Sequence, residues 1–140
     1  MQLLYKYYSN IKFLDLSVVL SEVKHLIAEL PSRGPELDYK LEFVCEELVS
    51  NSFKYSLVDA TSVELTIKIS DNPLQFVFEE HGVNDVDFEV FLAQGKCKQN
   101  QVGKLEVGGL GLYLIEQLVN KFSYKYDMSN KTRIFTLLLE

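Results

Sequence analysis

Val63, Leu65, Ile67 and Ile69 alternate with Glu64, Thr66 and Lys68. That period of two belongs to a strand buried on one face only. Asp71-Asn72-Pro73 supplies a turn and Leu74–Glu79 returns, so the two segments read as a hairpin. A hairpin with one apolar face is not stable alone in water. It needs more strands beside it, or helices over it. The chain has both. Gln2–Tyr8 reads as a strand, Ile11–Leu14 as a short extended piece, and Phe122–Met128 and Ile134–Leu139 as a strand pair around the turn Ser129-Asn130-Lys131.

The helical periods fall between these strands. Asp15 or Ser17 can cap a helix running to about Leu30, with Val19, Val23, Leu26, Ile27 and Leu30 as its apolar face. Pro31-Ser32-Arg33-Gly34-Pro35 breaks it. A longer helix then runs from about Glu36 to Tyr55, with an apolar stripe of Leu41, Cys45, Leu48, Ser52 and Tyr55. Asp87–Leu92 reads as a short helix and Gly95–Gly109 as a long loop, of the kind that in compact domains is functional or mobile. Leu110–Lys121 reads as a helix with Leu110, Leu114, Leu118 and Phe122 on one face. The order β, α, α, β, β, loop, α, β, β predicts an α+β fold: a two-layer α/β sandwich, with a mixed, mostly antiparallel sheet and helices on one face. Neither a repeat nor a linker interrupts it, so residues 1–140 are expected to form a single domain.

Several function classes are set aside by composition. A net charge of -6 argues against general binding of nucleic acid or anionic membrane. No apolar run reaches about 18 residues, and Met1–Asn10 lacks a signal-peptide core. Cys45 and Cys97 give neither a disulfide framework nor metal-ligand spacing, so a reduced, cytoplasmic setting is expected. His25 and His81 have no third ligand at a recognisable spacing. Cys97, between Lys96 and Lys98, could have a lowered pKa, whereas Cys45 lies on the core stripe of its helix.

Three features can carry chemistry. Glu47, Asn51 and Lys54 stand at i, i+4 and i+7 on the long helix, roughly 100° around from the apolar stripe. A carboxylate, an amide and an ammonium are thus stacked on one flank, at the border of the core. Glu80-His81-Gly82 places an acid beside a sharp turn at the end of the returning strand. Gly108-Gly109-Leu110-Gly111-Leu112 opens the helix after the long loop. Glycines at a helix start let backbone N–H groups approach an anion, and the helix dipole favours phosphate there. A plain glycine-rich turn would read the same way. The segment is neither a Walker A loop, lacking Gly-Lys-Ser/Thr, nor a dinucleotide fingerprint, since Leu114 stands where the third glycine belongs.

Taken in order, these features resemble the Bergerat-fold, or GHKL (histidine-kinase-like), ATPases. Glu47, Asn51, Lys54 and Tyr55 look like the family's N box, Glu80-x-Gly82 like its G1 box, Gly108, Gly109, Leu110, Gly111 and Leu112 like its G2 box, and Gly95–Val107 like its ATP lid. Within the superfamily the chain is most similar to the small anti-sigma-factor serine/threonine kinases. That resemblance implies ATP and Mg²⁺ as ligands, with a sigma factor or its antagonist's regulator as protein partner, and a homodimer as a possibility. It implies Glu47 as general base, Asn51 as the Mg²⁺ ligand and Lys54 as a phosphate contact. Glu80 would accept from the adenine amino group, Gly82 would leave room for the ring, and Gly109 and Gly111 would face the phosphates. Two positions depart from the family pattern. Glu80 replaces the usual Asp, and Asn84 stands where a second G1 glycine is usual. The alternative reading is a protein-interaction module on the same fold with weak or no nucleotide turnover. A histidine kinase half is disfavoured, because the 35 residues before Glu36 leave no room for a phosphoacceptor helix pair.

Overall fold

The computed structural model describes residues 3–90, 92–93 and 110–140; the side chains of Asp59 and Leu110 are not described. Strands β1 (Leu3–Tyr8), β2 (Glu64–Asp71), β3 (Leu74–His81), β4 (Lys121–Asp127) and β5 (Thr132–Leu138) form one sheet in the order β1-β2-β3-β5-β4. Every described pair is antiparallel, and the α+β fold with a mostly antiparallel sheet is as expected. β5 inserts between β3 and β4, so β4, the next strand in sequence after β3, pairs with β5 and not with β3.

Period-two alternation fixes which face is covered. Leu65, Ile67 and Ile69 of β2, Leu74, Phe76 and Phe78 of β3, and Phe135 and Leu137 of β5 are all buried against the helical layer. A fully buried Phe or Leu contributes about 1.5–3 kcal/mol relative to exposure, so this row accounts for much of the driving force. Phe88 extends it: in the short helical piece at residues 88–90, its ring lies 5.3 Å from Tyr124 and meets Phe122 edge-on at 5.0 Å.

The helices cover that face. Helix α1 (Leu16–Ala28) is capped by Asp15, whose carboxylate accepts from the Ser17 N–H at 2.9 Å, and it buries Val19, Val23 and Ile27. Helix α2 (Pro35–Asn51) begins with proline at its first turn, and the acids Glu36 and Asp38 there favour the positive end of the dipole. It packs on α1 and on helix α3 (Leu110–Leu118). From Asn51 the helix continues as a π turn, Ser52–Ser56, and one last turn, Leu57–Asp59.

Three local expectations change. Ile11–Leu14 is not extended: Ile11–Phe13 is a 3₁₀ turn, because the Asn10 side chain takes the Lys12 N–H and the Leu14 N–H returns to Ile11. The last helix stops at Leu118 and not Lys121, since the Asn120 N–H bonds Leu138 O at 2.8 Å and Lys121 already belongs to β4. Tyr55 is not on the core stripe and is 41% exposed, while Ser56 is buried. A π turn closes through i→i+5 bonds and is wider than an α turn. It rotates Tyr55 outward and brings Ser56 under Ser52.

Candidate functional site

The flank of α2 comes first. Glu47 and Asn51 are half-buried and Lys54 is exposed. Burial raises the Glu47 carboxyl above its ordinary pKa; Lys54 opposes this and Glu46 adds to it. Glu46 itself faces outward to Lys24, at 3.5 Å. Hard oxygen donors, the Asn51 amide and the Glu47 carboxylate, are therefore stacked one turn apart, the donor chemistry that Mg²⁺ prefers. Among the described residues no group of three or more His, Cys, Asp or Glu gathers as a metal cage. An ion held mostly by phosphate and water does not need one.

Gly111, in the first turn of α3, closes onto this flank. A Cβ there would overlap Oε2 of Glu47, with Cδ 3.3 Å away. Only glycine lets the start of α3 come this near the carboxylate. Leu112 packs against the core beside it. Two sequence features far apart in the chain thus meet at one point. Gly108, Gly109, Cys97 and the whole of the expected lid at 95–107 lie outside the described residues.

The G1-like acid sits differently from its sequence expectation. The strand runs on through His81, so Glu80 is not in a turn; it pairs with Leu65 on one side and Arg133 on the other. It is 4% exposed. Oε2 accepts from the Ser52 hydroxyl at 2.6 Å and from the Ser56 hydroxyl, and Oε1 lies 3.5 Å from Nη1 of Arg133. A buried carboxylate needs such donors to offset its desolvation. Ser52, Ser56 and Arg133 are functional candidates that sequence reading missed. The available signal was Ser52 itself: a hydroxyl on an apolar stripe, which must find a buried partner.

Gly82 ends the strand at φ +86, and a Cβ on it would meet Ser62 O at 2.6 Å. Its need for glycine is therefore set by its own backbone and the neighbouring chain. Among the described residues only Gly34, Gly82 and Lys131 have positive φ. Asn84 thus takes an ordinary backbone, and its carbonyl accepts from Nε of Arg133 at 2.5 Å. Tyr126 Oη donates to Val83 O at 2.7 Å and Tyr124 Oη to Asp85 at 2.6 Å, so the segment after Gly82 is tied to β4 and β5. A cavity of about 540 Å³ opens here, lined by Tyr55, Ser56, Gly82, Asn84, Lys131 and Arg133 among others. Glu80 lies behind Ser56 and Arg133.

A sheet covered on one face, with a carboxylate-bearing helix closed upon by a glycine-started helix, defines an α+β domain of the Bergerat ATPase type. Residues 15–136 match the family model for the histidine kinase-like ATPase domain, and the chain belongs to that family. A search of curated proteins returns no match. Among the described residues no helix is long and apolar enough to cross a membrane.

Proposed function

We propose that this chain is an ATP-dependent serine/threonine protein kinase of the anti-sigma-factor type, acting on a protein partner. ATP binding is what membership of the ATPase family suggests; the kinase chemistry is read from the site. The observation that carries it is the approach of Gly111 to Glu47. It sets a raised-pKa carboxylate beside a helix N-terminus, where a base and a phosphate group must be neighbours.

In this reading Glu47 orients the attacking hydroxyl and takes its proton, and a carboxyl raised above its ordinary pKa by burial is a stronger base than a solvated one. Asn51 holds Mg²⁺, which when bound neutralises phosphate charge. Lys54, exposed at the end of the flank, meets phosphate as a point charge. The start of α3, which Gly111 brings beside Glu47, would offer its backbone N–H groups to phosphate.

A second reading, a nucleotide-poor interaction module, is favoured by one observation: the Glu80 carboxylate is already engaged by Ser52, Ser56 and Arg133. Calorimetric titration and transfer of label from γ-labelled ATP to a purified partner separate the two. The kinase reading requires that Glu47→Gln bind Mg²⁺-ATP yet lose transfer, and that Asn51→Ala bind the complex weakly. Full transfer by Glu47→Gln would remove the base assignment.

A further inference from the structure

We infer that Arg133 reads the nucleotide base, donating to ring nitrogen N1 of adenine, with Glu80 as its buried counter-ion. The inference rests on the ATP reading above and deepens it. Three observations carry it. Arg133 lines the cavity, together with Ser56, Gly82 and Asn84, whereas Glu80 is 4% exposed and stands behind them. The guanidinium is held in place: Nε donates to Asn84 O at 2.5 Å, and Nη1 lies 3.3 Å from Ser56 Oγ and 3.5 Å from Glu80 Oε1. A guanidinium carries five N–H donors, so with Nε and Nη1 engaged, Nη2 still has two to offer.

The chemistry then favours an acceptor on the ligand. Oε2 of Glu80 takes both serine hydroxyls and Oε1 faces Nη1 of Arg133, so the acid is engaged by its own neighbours and Arg133 is the group left at the cavity wall. A donor there matches N1 of adenine, which accepts. Guanine offers the reverse at N1. Phosphate belongs at the other end of the helix, because Asn51 precedes Ser56 by more than a turn and Gly111 touches Glu47. Glu80 and Arg133 are direct cross-strand partners. The pair is therefore built into the sheet register, and does not depend on a loop.

The test compares ATP with 1-deaza-ATP, which has C–H in place of N1, and with GTP, by calorimetry on the full chain. Wild type should bind 1-deaza-ATP at least about tenfold more weakly than ATP, the size of a lost charge-assisted hydrogen bond, and GTP more weakly still. In Arg133→Ala the ratio for ATP over 1-deaza-ATP should fall to about one. The double variant Arg133→Met with Glu80→Gln removes both charges while keeping the stem, and should show the same loss should Arg133→Ala fold poorly. Equal affinity of wild type for ATP and 1-deaza-ATP, unchanged discrimination in the variants, or tighter binding of GTP would overturn the inference while leaving nucleotide binding intact. Failure of wild type to bind ATP at all would overturn both.

Discussion

Gly111 lies so close to Glu47 that any side chain on it would overlap the carboxylate Oε2. The obstructing atom is the far end of a flexible side chain, so the fold can yield while the site cannot. Gly111→Ala should keep stability within about 1 kcal/mol of wild type, since alanine is the better helix former. It should displace the Glu47 carboxylate and lower phosphotransfer by about 100-fold, the cost of misplacing a reacting group by an ångström. Thermal melts and single-turnover rates on the same preparations read both quantities.

Gly82→Ala should behave in the opposite way. Here the obstacle is the backbone carbonyl of Ser62 at 2.6 Å, and φ is +86. Neither can be relieved by rotating a side chain. A loss of about 1–3 kcal/mol in urea unfolding is expected, whether or not nucleotide is present. A stability equal to wild type would mean that the strand end can readjust.

The polar cluster under α2 gives a third expectation. Ser52→Ala removes one of the two hydroxyls that hold Glu80 Oε2. Losing a hydrogen bond to a buried charged group costs about 1.5–3 kcal/mol. Denaturant melts at neutral pH should show a loss in that range.

The pH dependence follows from Glu47. Its folded pKa is raised above the ordinary 4.5, mainly by burial. The native state therefore binds this proton more tightly than the unfolded chain, so the ionised group costs stability above its folded pKa. That cost disappears as pH falls from the raised value through the ordinary one. Glu47→Gln should melt higher than wild type at pH 7, with the gap closing on acidification toward pH 4.5. On the proposed reading of Glu47 as the base, transfer by wild type should rise with pH through the raised pKa, since a base acts in its ionised form.

Much of this was legible in the sequence. The alternation at Val63–Ile69 and its return gave the hairpin, and the glycine-started helix pointed to α3. What escaped was geometry that no local period encodes. The π turn shifts the helical phase between Asn51 and Leu57, so Tyr55 turns outward and Ser56 inward. The placement of β5 beside β3 is a tertiary choice, and only that choice puts Arg133 next to Glu80. Position 84 looked like a missing glycine, yet its ordinary φ shows that this backbone does not require one.

The central claim is a nucleotide site on the flank of α2, and a thermal melt with and without Mg²⁺-ATP tests it most directly. At ligand about 100-fold above Kd, binding to the native state alone adds ~2.7 kcal/mol. A domain of this size should then melt several degrees higher. Asn51→Ala should lose that shift. An unchanged melting temperature in millimolar Mg²⁺-ATP would contradict the account.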